Sequence, residues 1–201
     1  MPRIILASSS PYRQELLARL QLPFIAMAPE IDETAIESEA AADTAQRLAL
    51  QKARAVAQHH QNAIIIGADQ VASLDGLHIG KPGNHAAALQ QLQLMRGREV
   101  VFHTALCVID QRDNQHKPTT PTVLIDNIQT KVLFRNLDDD ELDAFLRIEQ
   151  PYDCAGSAKN EALGITVIEK ISSDDPTALT GLPLIRLTSM LRSLGVSFYK
   201  K

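Results

Sequence analysis

The run Ile4-Ile5-Leu6-Ala7 is closed at once by Ser8-Ser9-Ser10-Pro11-Tyr12-Arg13, and helix-forming residues follow from Gln14 to Leu20. This junction constrains the fold more than any other stretch. Ser10 suits a helix N-cap, and Pro11 suits the first helical position, where a missing N–H costs nothing. A short buried strand passing directly into a helix is how an α/β chain begins. Arg13 then falls in the first helical turn, where the dipole disfavours a cation. A polyanion held between that arginine and the free backbone N–H groups would justify it, which makes the turn a candidate phosphate cradle. An ordinary serine-capped helix with a solvated arginine explains the same residues.

The alternation continues along the chain. Residues 24–29 read as a second strand leading to the acidic loop Glu30-Ile31-Asp32-Glu33-Thr34, 35–43 as a loop or frayed turn, and 44–59 as a helix. Residues 63–66 read as a buried strand closed by Gly67-Ala68-Asp69-Gln70-Val71. A hairpin or turn at 76–82 precedes a helix at 85–95. Residues 100–110 and 123–134 read as long strands joined by a polar loop with Pro118 and Pro121, an antiparallel excursion that suggests a separate lobe. A helix at 138–148 carries acids in its first turn, 164–171 reads as a strand, and a helix at 184–194 ends at Gly195.

Composition narrows the class of function. No apolar run approaches the roughly 20 residues a membrane span needs, and Ser8 interrupts the first apolar run too early for a signal peptide. Cys107 and Cys154 are too few for a disulfide framework or a zinc site, so a cytoplasmic protein is expected. The net charge of −4 argues against a nucleic-acid polymer as partner. Any affinity for a small phosphate must come from a few local cations or a metal.

A few residues stand out chemically. Asp69 is expected at the carboxyl end of a central strand, where open α/β sheets place ligands, with Gly67 and Ala68 leaving room for a substrate. There it can be a general base or a metal ligand, or merely a turn-initiating residue. Lys52 occupies a slot on the apolar stripe Ala45, Leu48, Ala49, Val56, so it must snorkel out or meet an anion, whether phosphate or an acid such as Glu33. Asp32-Glu33 sits in a loop with little reason to be ordered unless something binds it, and could share a divalent cation with Asp69. Lys81, in His78-Ile79-Gly80-Lys81-Pro82, does not fit a Walker A loop and reads alone as a hairpin lysine. The histidines show no metal spacing, and Cys154 lacks a recognisable base.

Taken in order, Leu6-Ala7-Ser8-Ser9-Ser10-Pro11-Tyr12-Arg13, Asp32-Glu33-Thr34, Arg47-Leu48-Ala49 with Lys52-Ala53, Gly67-Ala68-Asp69-Gln70, Gly80-Lys81-Pro82, Cys154-Ala155-Gly156 and Gly181-Leu182-Pro183 resemble the Maf family of nucleoside triphosphate pyrophosphatases. The resemblance covers nearly the whole chain and implies one domain over residues 1–201. It implies an α/β fold with a long mixed β-sheet, flanking helices and two lobes around a central cleft. It also implies hydrolysis between the α- and β-phosphates with a divalent cation (Mg²⁺, Mn²⁺ or Co²⁺), held by Glu33 and Asp69. Asp69 matches the family's proton acceptor, and Ser8, Ser9, Ser10, Arg13, Glu33, Lys52 and Lys81 match substrate-binding positions.

Tyr12, Gln70 and Glu161 resemble the branch acting on 7-methyl-GTP rather than the dTTP/UTP branch. An aromatic face attracts the cationic 7-methylguanine base, and a carboxylate accepts from its N1–H and N2–H₂. The chain departs from that branch at Tyr12, where Trp is more typical, and at Ala162, where Gly is expected. Competing readings are a dTTP/UTP or other modified-nucleotide pyrophosphatase, and a non-catalytic nucleotide-binding regulator of cell division. A small-molecule nucleotide is the expected partner, with no membrane, and a homodimer is allowed.

Overall fold

The computed structural model describes residues 2–34, 36–112 and 121–199. Ala35 and the segment carrying Pro118, in the expected polar loop, lie outside the described residues. Among the described residues seven strands form one sheet in the order β2-β1-β3-β5-β6-β7, with β4 paired to β3. They are β1 (Ile4–Ala7), β2 (Phe24–Met27), β3 (Ile64–Leu74), β4 (Leu77–Ile79), β5 (Glu99–Asp110), β6 (Thr122–Phe134) and β7 (Ile168–Ser173). The helices are α1 (Pro11–Ala18), α2 (Ala41–Ala57), α3 (His85–Met95), α4 (Asp139–Glu149) and α5 (Leu184–Ser193). No helix among the described residues is long and apolar enough to cross a membrane.

The chain divides into two compact units. The first comprises Met1–Gln70, Thr104–Ile128 and Asp175–Lys201. In it β1 pairs in parallel with β2 and with β3, Ile4 opposite Ile64 and Ala7 opposite Gly67. Alternation sorts the side chains. Ile4, Leu6, Ile64, Ile66 and Ala68 join Leu16, Leu17, Leu187 and Leu191 in one apolar core. The opposite face meets α2, whose Ala45, Ala49 and Ala53 are fully buried. Those small side chains let α2 lie almost on the strand. A Cβ on Gly67 would stand 2.3 Å from the Ala49 carbonyl oxygen and 2.9 Å from the Ala53 Cβ.

The second unit comprises Val71–His103 and Gln129–Asp174. Its hairpin closes over Asp75-Gly76, both at positive φ, the two-residue turn that matches strand twist. Asn84 caps α3 through its side chain, and Asp138 caps α4. β7 pairs antiparallel with β6, with an irregularity between Leu133 and Phe134.

Three expectations are corrected. The strand expected at 63–66 runs on to Leu74, because Gly67 serves close packing against α2 and does not end the strand. The segment expected as a strand at 164–171 begins as a 3-10 helix at Leu163–Val167 and becomes β7 only at Ile168. Gly164 lies so near the Lys159 backbone that a Cβ would come within 2.4 Å of its nitrogen, a curled approach that an extended chain cannot make. Finally, α2 starts at Ala41, three residues before the helix start expected at Thr44.

Candidate active site

The parallel β1–β3 ladder ends at Ala7 and Gly67, and Asp69 follows two residues later inside β3. Asp69 is therefore not at the end of its own strand, as expected, but just beyond the end of its neighbour. The physical consequence matches the open-sheet rule, since the flank that β1 vacates is the carboxyl end of a parallel pair. Gly67 and Ala68 do not make room for a substrate. The space beside Gly67 belongs to α2, and Ala68 is buried in the apolar core.

The close approach of α2 decides what Lys52 does. Its ammonium lies 2.6 Å from Asp69 Oδ1 and 3.0 Å from Glu33 Oε1. Lys52 and Asp69 are each only 6% exposed, so the lysine meets anions and does not snorkel. Burial pushes the Asp69 carboxyl up from the ordinary carboxylate range, while Lys52 and then Arg13 pull it back. Glu33 adds to the push. The cluster of one ammonium and two carboxylates places Asp69 as a buried acid with an elevated affinity for a proton.

The Glu33 loop is held by its own hydrogen bonds and by α2. Asp32 accepts from the Thr34 N–H at 2.9 Å and its hydroxyl at 2.5 Å, bonds that hold Asp32 below the usual carboxylate range. Arg47 spans the Thr34 carbonyl and the Glu39 carboxylate, tying the loop to α2. Asp32 thus shapes the loop and Glu33 reaches the site.

The opening turn is also largely self-satisfied. The Ser10 N–H donates to Ser8 Oγ at 3.1 Å, the Arg13 N–H to Ser10 Oγ at 3.4 Å, and the Gln14 N–H to the Ser10 carbonyl at 3.2 Å. The expected cradle of free backbone N–H groups is therefore mostly filled by the turn's own oxygens. Ser10 is the N-cap, as expected, Ser8 is buried and Ser9 is exposed. Arg13 donates through Nε to the Gly181 carbonyl at 2.9 Å and lies 3.5 Å from Ser8 Oγ. Burial lowers its guanidinium, and the fields of Asp69 and Glu33 oppose that. Tyr12, one residue before it, is half-buried.

Gln70 alternates to the other face of β3 from Asp69. Its Nε2 lies 2.9 Å from Thr104 Oγ1, 3.1 Å from the Ala178 carbonyl and 3.0 Å from the Leu179 carbonyl. Thus Ser8, Ser10, Arg13, Glu33, Lys52, Asp69 and Gln70 all belong to the first unit.

Lys81 and Glu161 belong to the second unit. Lys81 is exposed between β4 and α3, and its charge helps hold Asp153 below the usual range, after the larger effect of Lys159. The lysine loop is pinned at both ends. Gln91 Nε2 donates to the Gly80 carbonyl at 2.9 Å, and the Gly83 N–H donates to the Tyr152 carbonyl at 3.0 Å. Ser157 Oγ in turn donates to Gln91 Oε1 at 2.7 Å. Glu161 is exposed, and Ala162 has φ −131°, so the alanine in place of the expected glycine carries no left-handed strain.

The sequence alone marks no role for Arg47, Gln91, Thr104, Ser157 or Gly181. Gly181 meets Arg13 168 positions away, which no local pattern reveals, whereas Arg47 meets Glu39 only 8 positions away. Burial pushes the Cys154 thiol up to about 11 and that of Cys107 to about 12, the behaviour of inert thiols.

Asp69 and Glu33 meet at the Lys52 ammonium, and only their remaining carboxylate oxygens are of the kind that a hard dication takes together with water and phosphate oxygens. Among the described residues no three His, Cys, Asp or Glu are grouped to hold an ion by themselves.

The chain is similar to known proteins along nearly its whole length. Curated relatives named 7-methyl-GTP pyrophosphatase include one from Cupriavidus metallidurans, 58% identical over 194 residues, covering 96% of this chain and 94% of that protein. Another, from Methylobacillus flagellatus, is 56% identical over 196 residues and covers 98% of each chain. A solved structure of the Staphylococcus aureus Ham1 protein is similar with a TM-score of 0.44 and 14% identity, over 67% of this chain and 72% of that one. The family model described as Maf-like protein matches residues 3–194, and the chain belongs to that family.

Proposed function

We propose that the chain is a nucleoside triphosphate pyrophosphatase that hydrolyses 7-methyl-GTP to 7-methyl-GMP and pyrophosphate. The observation that carries the reading is Asp69, buried beyond the end of a parallel strand pair and held by Lys52 beside Glu33. The names of relatives 54–58% identical over nearly their whole lengths support it.

A water oxygen attacks the α-phosphorus and its proton passes to an Asp69 carboxylate oxygen. The bond from the α-phosphorus to the bridging oxygen breaks, and pyrophosphate leaves with that electron pair. Arg13 faces the charge that develops on the leaving group, together with the Ser8, Ser9 and Ser10 hydroxyls. A divalent cation on Asp69 and Glu33 would supply charge neutralisation for the polyphosphate. Lys52 is already matched by two carboxylates, so it orients Asp69 and Glu33 before it serves any phosphate. Lys81 as a phosphate ligand and Glu161 as the acceptor for the guanine N1–H and N2–H₂ rest on the family resemblance. Tyr12 offers its ring to the cationic base, worth about 0.5–2 kcal/mol.

Pyrophosphate release should be measured from 7-methyl-GTP, GTP, dTTP and UTP with Mg²⁺, Mn²⁺ or Co²⁺, beside Asp69→Asn. The reading expects 7-methyl-GTP to be preferred and the variant to bind nucleotide without hydrolysing it. Preference for dTTP or UTP, or full activity in the variant, defeats it.

A further inference from the structure

The chemistry above gives the Gly181-Leu182-Pro183 motif no part, yet its first carbonyl holds Arg13. Arg13 Nε donates to the Gly181 carbonyl at 2.9 Å across 168 positions of chain. Gly181 is buried and has φ +112°, a backbone state that residues with a Cβ rarely adopt. A Cβ there would also stand 3.4 Å from Arg13 Nε and 3.8 Å from Nη2. Glycine thus turns its carbonyl toward the arginine and leaves the guanidinium uncrowded.

The carbonyl is itself held still. The Gly181 N–H donates to the Ala178 carbonyl at 2.9 Å, and the Thr104 hydroxyl donates to that same oxygen at 2.9 Å. On the other side of Gly181, the Thr177 hydroxyl accepts from the Leu184 N–H at 2.8 Å and lies 2.8 Å from the Leu182 carbonyl. Ala178 and Leu182 are fully buried. A loop tied at this many points offers its Gly181 carbonyl in one direction.

That direction decides which edge of Arg13 stays open. A guanidinium carries five N–H groups in one plane. Nε is taken by Gly181, and Nη1 lies 3.5 Å from Ser8 Oγ, at the outer limit of a hydrogen bond. Among the described residues Nη2 makes no hydrogen bond, and Arg13 is only half-buried. The open edge is therefore the Nη1–Nη2 pair, which can grip two oxygens of one phosphate. We propose that Gly181 is a positioning residue, its carbonyl aiming Arg13 so that the Nη1–Nη2 edge, and not the Nε–Nη2 edge, receives a phosphate. The inference rests on the function proposed above for the identity of that phosphate, one of the nucleoside triphosphate. Asp69 and Glu33 act on the same guanidinium through their fields, so the aimed edge belongs with the acid.

The test is a double-variant cycle of Gly181→Ala and Arg13→Lys, with melting curves on each protein. Two quantities are read: kcat/KM for 7-methyl-GTP, and the dissociation constant of inorganic tripolyphosphate by calorimetry. Gly181→Ala alone should lose about ten- to a hundredfold in both. An ammonium has no planar fork to aim, so in the Arg13→Lys background the same change should cost no more than about twofold. Thr177→Val loosens the loop without entering the Arg13 contact, and serves if Gly181→Ala does not fold. It should show a smaller loss with the same dependence on Arg13, restored by Thr177→Ser. Equal losses with and without Arg13 overturn the inference, since the loop then acts on stability alone. A folded Gly181→Ala with undiminished kcat/KM and tripolyphosphate affinity overturns it as well. If wild type releases no pyrophosphate from 7-methyl-GTP, the proposed function fails. The tripolyphosphate cycle then decides the inference by itself: coupling sustains it and its absence overturns it.

Discussion

Replacing Lys52 by Met keeps the aliphatic stem that packs on the α2 face and removes only the ammonium. Two attractions are lost, and they differ greatly in worth. The pair with Asp69, at 2.6 Å between groups each 6% exposed, is a buried ion pair. Removing one partner of such a pair costs about 3–5 kcal/mol, because the other charge stays buried and unmatched. The contact to Glu33, whose side chain is 57% exposed, contributes at most about 1 kcal/mol. With a urea slope of about 2 kcal/mol per molar, the unfolding midpoint should fall by about 1.5–2.5 M at neutral pH. The penalty must also depend on pH. Without Lys52 the buried Asp69 takes up a proton more readily in the folded than in the unfolded chain. The native state then binds the extra proton between the two pKa values, so its stability falls as pH rises through that window. The gap between variant and wild type should therefore narrow on acidification, as the carboxyl becomes neutral. Lys52→Met with Asp69→Asn should recover most of the loss at neutral pH. Urea titrations across pH decide the matter. A loss under about 1 kcal/mol, or one that ignores pH, would refute the claim that this is a buried, mutually dependent pair.

Other consequences can be checked separately. Gly67→Ala forces a Cβ against the α2 backbone at 2.3 Å, so it should cost about 3 kcal/mol or more in thermal or urea unfolding and lower activity by moving Lys52. Because burial raises Asp69, its carboxyl in the metal-free protein should titrate above the ordinary carboxylate range when followed by carboxyl-carbon NMR, and the transition should vanish in Asp69→Asn. A titration of the metal-free protein at the usual aspartate value contradicts the reading of Asp69 as a buried acid. Asp175, 2% exposed, accepts from the Ile185 N–H at 2.7 Å and the Arg186 N–H at 3.1 Å, and Asp175→Ala should lower unfolding stability by about 1–3 kcal/mol. The Cys107 thiol, fully buried and pushed up to about 12, should react with a disulfide reagent only on unfolding.

Local chemistry explains which parts of this molecule could be foreseen. The Ser10 cap and Pro11 define the start of α1, the apolar period of α2 flags Lys52 as misplaced, and the β-branched run before Gly67 marks a buried strand. Each depends on neighbours within a few residues, so each is written in the order of the chain. The same locality explains the errors. Gly67 reads as a stop only when α2 is out of view, and the loop of Glu33 reads as loose only when Arg47 and Glu39 are.

The tertiary structure decided which charges meet. Lys52 and Asp69 are 17 positions apart and are joined because glycine and alanines let a helix settle on a strand. Arg13 and Gly181 are 168 apart, and Gln70 lies 109 from the carbonyl of Leu179 that turns its amide. Residue types along the chain set out the candidates for an acid, its cations and a phosphate-facing turn. Only packing, which removes water and brings distant carbonyls and charges within hydrogen-bond reach, assigned each of them a partner and an orientation.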